Sequence, residues 1–274
     1  MSKNATLRTV DGVPTLRFER RLRHPVEKVW RAVSDPEEMG AWFPAAVEAE
    51  LRPGAPMRFV FPEEAPVEEN WDGEVLEVDP PKVFMFRWHE DVLRFELVPQ
   101  NGGCLLVFTQ TIGGGDIGLL GAGRTAAGWD TCLEVLAGGL EGREVPTAED
   151  WLTPIQHYVD AFGLGDGVVR EDGVRFVRDL VWKPVEDVWK VLLERDWVPE
   201  GVGGPPVAEF GGVRCEVVSD VRLGVRIEVT VAGEVPPEDL ATWHVRMDLL
   251  FAAVQGSERE WPDKRVGELV RHYS

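Results

Sequence analysis

Apolar and polar positions alternate along residues 14–23, with Leu16, Phe18 and Leu22 on one side, the period of a strand with one buried face. Pro25 then opens a helix over 25–33, since proline at the first turn gives up an N–H that would have no intrahelical partner. Asp35-Pro36-Glu37-Glu38 predicts a short helix over 35–42, with an acid at the N-cap and carboxylates at the positive end of the helix dipole. About five strands are expected between 46 and 112. Phe84, Phe86 and Trp88 alternate with Met85, Arg87 and His89; Leu93, Phe95 and Leu97, then Leu106, Phe108 and Gln110, repeat that period. Trp129, Leu133, Leu136 and Leu140 switch to the helical period and predict a long helix over 124–141. Antiparallel strands followed by one long amphipathic helix define an α+β fold with the helix laid across the sheet.

The pattern then starts again. Leu16-Arg17-Phe18-Glu19-Arg20-Arg21-Leu22 and Pro25-Val26-Glu27-Lys28-Val29-Trp30 return as Val174-Arg175-Phe176-Val177-Arg178-Asp179-Leu180 and Pro184-Val185-Glu186-Asp187-Val188-Trp189. Trp129, Leu133 and Leu136 match Trp243, Met247 and Leu250 without a gap, and His157-Tyr158 is matched by His272-Tyr273. The expected organisation is a complete domain over 1–163 and a truncated copy over 164–274. Ninety-nine residues lead from Trp30 to Trp129 but only 54 from Trp189 to Trp243. The second copy therefore lacks most of the middle strands and is expected to keep three, among them Arg214-Cys215-Glu216-Val217-Val218, the echo of Arg94-Phe95-Glu96-Leu97-Val98.

Composition narrows the function. With 48 acidic against 29 basic residues the formal charge is −19, which repels phosphate backbones and anionic headgroups, so neither nucleic acid nor membrane is an expected partner. No apolar run reaches the length of a membrane span and the polar start has no signal-peptide pattern. Cys104, Cys132 and Cys215 are odd in number and scattered, as expected for free thiols in the cytoplasm. Eleven Trp against two Tyr suggest thick aromatic walls around a core or a cavity.

The order of strand, two short helices, antiparallel meander and long C-terminal helix resembles the helix-grip superfamily of START and Bet v 1-like domains, and in it the branch related to the activator of Hsp90 ATPase. Pro25-Val26-Glu27-Lys28-Val29-Trp30, Trp42-Phe43, Gly54, Gly73-Glu74-Val75, Phe86-Arg87-Trp88 and Gly128-Trp129 with Leu133 carry the likeness. The resemblance implies a sheet curled around a helix over an apolar pocket. Members bind lipids, hormones and polyketides, cyclise polyketides, assist chaperones, or protect producers of enediyne antibiotics.

A three-stranded copy would leave its helix uncovered, so the two copies are expected to dock and join their pockets. The expected walls are Trp42, Phe59, Phe61, Phe86, Trp88, Phe95, Phe108, Trp129 and Leu133, with Trp197, Ile227, Trp243 and Met247 from the second copy and Gln110 as a polar fixture. The same aromatics could equally fill two solid cores. Arg94 and Glu96 are further polar candidates on the sheet. The glycine-rich stretch from Gly113 to Gly123 contains GxGxxG, but it ends an antiparallel meander and lacks the βαβ setting of a dinucleotide site. It reads as a flexible loop in which Gly114, Gly115, Ile117, Leu119 and Leu120 form a lid. His157 and His272 read as structural; His244 and its counterpart Asp130 could each point a polar group at a ligand, with the surface as the expected place. Cys132 is expected to be an inert buried thiol, and Glu63-Glu64-Ala65-Pro66-Val67-Glu68-Glu69 a solvated turn. No His or Cys spacing suits a metal, no serine lies in GxSxG, and no cofactor is expected.

The leading expectation is binding, rather than transformation, of an elongated hydrophobic small molecule such as a polyketide or polyene intermediate. Polyketide cyclase or aromatase, enediyne self-resistance and chaperone activation stay open as alternatives.

Overall fold

A computed structural model describes residues 5–61, 71–146, 149–180, 183–220 and 224–274. The acidic stretch Glu63–Glu69 lies outside the described residues. The chain forms two compact units, Met1–Tyr158 and Val159–Ser274. Both are helix-grip domains of α+β class, each an antiparallel sheet with a long helix near its C-terminal end.

In the first unit β1 (Thr6–Val10) and β2 (Val13–Leu22) precede α1 (Val26–Ser34) and α2 (Pro36–Met39). Then come β3 (Ala46–Ala49), β4 (Pro56–Val60), β5 (Trp71–Asp79), β6 (Val83–Trp88), β7 (Asp91–Gln100) and β8 (Gly103–Thr111). The meander after α2 thus has six strands where five were expected, and β1 was not foreseen. The sheet order is β1-β2-β8-β7-β6-β5-β4-β3. Asp11 and Gly12 turn β1 into β2 with φ of 51° and 82°, the left-handed pair that a two-residue hairpin demands.

Caps fix the helices. The Asp35 carboxylate accepts from the Glu37 and Glu38 N–H groups at 2.9 and 3.2 Å, starting α2 where its sequence says it should. The expected glycine-rich loop is instead the short helix α3 (Gly115–Leu120), entered through Gly114 and Gly115 at φ of 78° and 57°. These glycines serve a left-handed approach to a helix, not looseness. α4 (Ala122–Glu141) follows and stops at Gly142, φ 69°. Lys28 on α1 donates to the Leu140 carbonyl at 2.6 Å, a cation on the negative end of α4. α5 (Leu152–Phe162) ends the unit and leads into the next.

The second unit comprises β9 (Val168–Arg170), β10 (Gly173–Asp179), α6 (Val185–Glu194), β11 (Val207–Phe210), β12 (Val213–Asp220), β13 (Gly224–Ala232), α7 (Pro237–Val254) and α8 (Asp263–Tyr273). Its sheet runs β11-β12-β13-β10-β9. That is the order of β6-β7-β8-β2-β1, so among the described residues the counterparts of β3, β4 and β5 are what is missing. Five strands, not three, back α7, because β9 and β11 survive alongside the expected three. The opposite flank of α7 packs Ala241 and Val245 against Leu269 of α8. The premise that its helix face lies bare is therefore corrected. Among the described residues no helix is long and apolar enough to cross a membrane.

Gly73 is a tight point of the larger sheet. A Cβ there would lie 2.5 Å from the Phe59 ring and 2.9 Å from the Arg87 carbonyl. Gly73→Ala is expected to lower unfolding stability by about 1–3 kcal/mol through overpacking, read from urea denaturation.

Candidate functional site

The inward faces of the middle strands and the segment after α2 meet α4 in one aromatic cluster. Phe59 stacks on Trp88 with ring centroids 4.9 Å apart, Phe95 on Phe108 at 4.6 Å, and Trp129 of α4 meets Phe108 edge-on at 4.7 Å. Trp42 packs on Phe95 at 5.9 Å, and its indole N–H donates to the Ala32 carbonyl at 2.8 Å. Phe86 lies between Phe59 and Phe95, and Leu133 is buried one turn along α4 from Trp129. Phe61 reaches the end of the cluster at Trp88, 6.0 Å away, and both are only half-buried. The rings largely fill one another's space, so this interior is a packed wall before any ligand arrives.

Phe43 is the hub that the pattern missed. It contacts Trp42, Phe59, Phe86, Trp88 and Trp129 at 5.3–6.1 Å. It sits in an irregular segment where no period marks the buried side. Arg94 and Glu96, by contrast, pair with each other at 2.7 Å on the half-exposed side of β7, away from the inward Leu93, Phe95 and Leu97.

Polar groups inside are few, and three of them form a chain. The Trp129 indole donates to the Gln110 carbonyl oxygen, the Gln110 amide donates to Asp91 at 2.7 Å, and Asp91 also accepts from the Gly113 N–H at 2.8 Å. This chain ties α4, β8 and the start of α3 to the end of the sheet where Trp88 lies. Ile117, Leu119 and Leu120 of α3 are half-buried rather than waving in solvent. Burial pushes the Cys132 thiol up to about 11 and Cys215 to about 12, which leaves both poor nucleophiles at neutral pH.

A second polar group fixes α4. Asp130, one residue beyond Trp129, accepts from both the Arg20 guanidinium of β2 and the Tyr158 hydroxyl of α5, and the Ala5 N–H donates to that same hydroxyl at 3.2 Å. The surface placement expected for Asp130 is corrected: its side chain is 16% exposed and that of Arg20 11%. His244 departs further, with a side chain only 2% exposed, because α8 and the segment around Gly165 close over it.

In the second unit Trp197, Ile227, Trp243 and Met247 do come together. With Leu192, Phe210, Cys215, Val229 and Leu250 they line an apolar crevice of about 20 Å³, room for about one water. Arg246 covers Trp243 at 4.8 Å.

One feature of the first unit runs against the net charge. Beside β1, β2 and the β7–β8 turn runs a groove of about 760 Å³ lined by Arg8, Arg17, Arg20, Arg21 and Arg23 with Glu19.

An antiparallel sheet gripping a long helix over an aromatic interior defines a helix-grip domain. More particularly, residues 23–141 match the family model of activator of Hsp90 ATPase homolog 1-like protein. Among solved structures, a conserved protein of unknown function from Enterococcus faecalis, EF2215, is 20% identical, covering 58% of this chain and 91% of its own at a TM-score of 0.50. CalU16 from Micromonospora echinospora is 20% identical, covering 58% of this chain and 94% of its own at a TM-score of 0.45. MLL2253 from Mesorhizobium loti is 26% identical over 48% of this chain and 99% of its own, TM-score 0.40. None of the curated proteins matches the chain.

Burial, then the hydrogen bond to Asp130, raise the Tyr158 hydroxyl above the ordinary phenol value near 10. A raised folded-state value stabilises the fold below pH about 10 and loses that stabilisation as pH climbs further. The raised thiols and Tyr273 act in the same direction. Tyr158→Phe is therefore expected to flatten part of the alkaline limb of stability against pH, and Asp130→Ala to cost about 3 kcal/mol by leaving Arg20 unpaired. Denaturant titrations between pH 7 and 11 check both.

Proposed function

We propose that the first unit binds an elongated apolar small molecule, a polyketide or polyene of the kind handled in enediyne biosynthesis, between its sheet and α4. The observation that carries this reading is the aromatic cluster itself. It runs unbroken from Phe108 and Phe95 to the half-buried rings of Trp88 and Phe61, so a conjugated chain entering at that end meets ring faces throughout. Ahead of Trp129 the buried side of α4 offers only Ala122, Gly123, Ala126 and Ala127. The interior volume is thus supplied by rings that turn about two torsions, rather than by the helix. Gln110 is the one inward polar side chain of β8, and an amide orients a ligand without titrating. α3 begins at the same end of the sheet, and Ile117, Leu119 and Leu120 are its candidates for covering the mouth. Affinity would come from apolar burial at about 25 cal/mol per Å², less the ordering costs.

The family match favours a second reading, stimulation of a chaperone ATPase by protein contact. The two separate in one titration of the full chain with linear conjugated polyenes and fused-ring polyketides, following tryptophan fluorescence. Saturable quenching at one ligand per chain, weakened about tenfold by Trp88→Ala, is the expected result. Absence of saturable quenching, together with stimulated ATP hydrolysis by Hsp90, would give the site to the second reading. Chemical conversion of the polyketide would make the pocket a cyclase, and backbone cleavage by an activated enediyne would make it a resistance protein.

A further inference from the structure

The two copies use one position on the long helix differently. In the first unit Arg20, Asp130 and Tyr158 satisfy one another. Their counterparts are Arg178, His244 and Tyr273, and one helical turn on stands Asp248, where the first unit has Glu134. His244 Nδ1 meets the Tyr273 hydroxyl at 2.8 Å, and that hydroxyl accepts from the Gly167 N–H at 3.1 Å. The other ring nitrogen, Nε2, is buried with no hydrogen-bond partner among the described residues, and so is Asp248 Oδ1. Nε2 faces Asp248 Oδ2 at 3.8 Å, and one oxygen of Asp160, from α5, completes a set of donor atoms within 4.8 Å of one another.

We propose that His244, Asp248 and Asp160 bind a divalent transition-metal ion of the zinc class. One imidazole nitrogen and two carboxylate oxygens are three of the four donors such an ion takes, the fourth being water. A tetrahedral ion needs donors about 3.3 Å apart, so binding draws the donor atoms together by up to about 1.5 Å. Each donor already has an outer partner. Tyr273 can accept a hydrogen bond from Nδ1 when Nε2 ligates, Arg178 lies 3.6 Å from Asp248 Oδ1, and Arg265 holds Asp160 Oδ1 at 2.9 Å. Asp160, Asp166 and Asp248 against Arg178 and Arg265 leave the surroundings net negative. Asp160 is one-third exposed and supplies the way in. Gly165 keeps the space open, since a Cβ there would sit 2.9 Å from Nε2.

The test is a zinc titration of the chelator-stripped full chain by calorimetry, with cobalt absorption and X-ray absorption on the zinc-loaded protein. One ion per chain, in a shell of nitrogen and oxygen only, is expected. His244→Gln and Asp248→Asn should weaken binding at least tenfold and His157→Gln leave it unchanged, while Gly165→Ala should block the site with all three ligands in place. No stoichiometric binding, sulfur in the shell, or undiminished affinity in folded His244→Gln would overturn the proposal.

Discussion

A single carboxylate decides where the long helix of the first unit lies. Asp130 is held between a guanidinium from β2 and a phenol from α5, so three separate segments converge on one helical turn. Most of a helix–sheet interface is apolar, which resists separation but permits sliding. A nearly buried charge with fixed partners does not permit it, because any shift of α4 would strand a charge away from water. Trp129, the neighbouring residue, is thereby delivered to Gln110, and the ring cluster takes its register from that contact.

The same clamp shows how a duplicated domain acquires new chemistry. Replacing the carboxylate by imidazole leaves the acid one turn later, Asp248, beside Arg178, and buries an imidazole nitrogen that has no hydrogen-bond partner among the described residues. Such a nitrogen costs stability where it is buried, so its retention argues for something that satisfies it.

The repeat was plain in the chain because its markers are local: a helix-opening proline, a strand period, a tryptophan at fixed spacing. The ring faces of β6, β7 and β8 were legible for the same reason. What stayed hidden depends on distant neighbours. Phe43 lies outside any period, and the burial of His244 is set by Tyr273 and Gly165, far from it in sequence. α3 hid behind glycines that suggest a loop until their left-handed φ values are seen. The arginine groove was masked by a net charge that sums over the whole surface and says nothing of where the signs fall. β1, mostly exposed and barely alternating, gave no pattern to find.

Losing three strands also created an edge. In the first unit β6 is flanked on both sides, whereas among the described residues its counterpart β11 pairs within its own sheet with β12 alone. An open strand invites pairing with another chain, the first step towards aggregation. β11 is four residues long, follows two consecutive prolines that lack amide donors, and sets Glu209 outward against Arg214. A deletion that shortened the domain thus survives beside features that discourage intermolecular strand growth, and lengthening or neutralising that strand would remove the protection without touching either core.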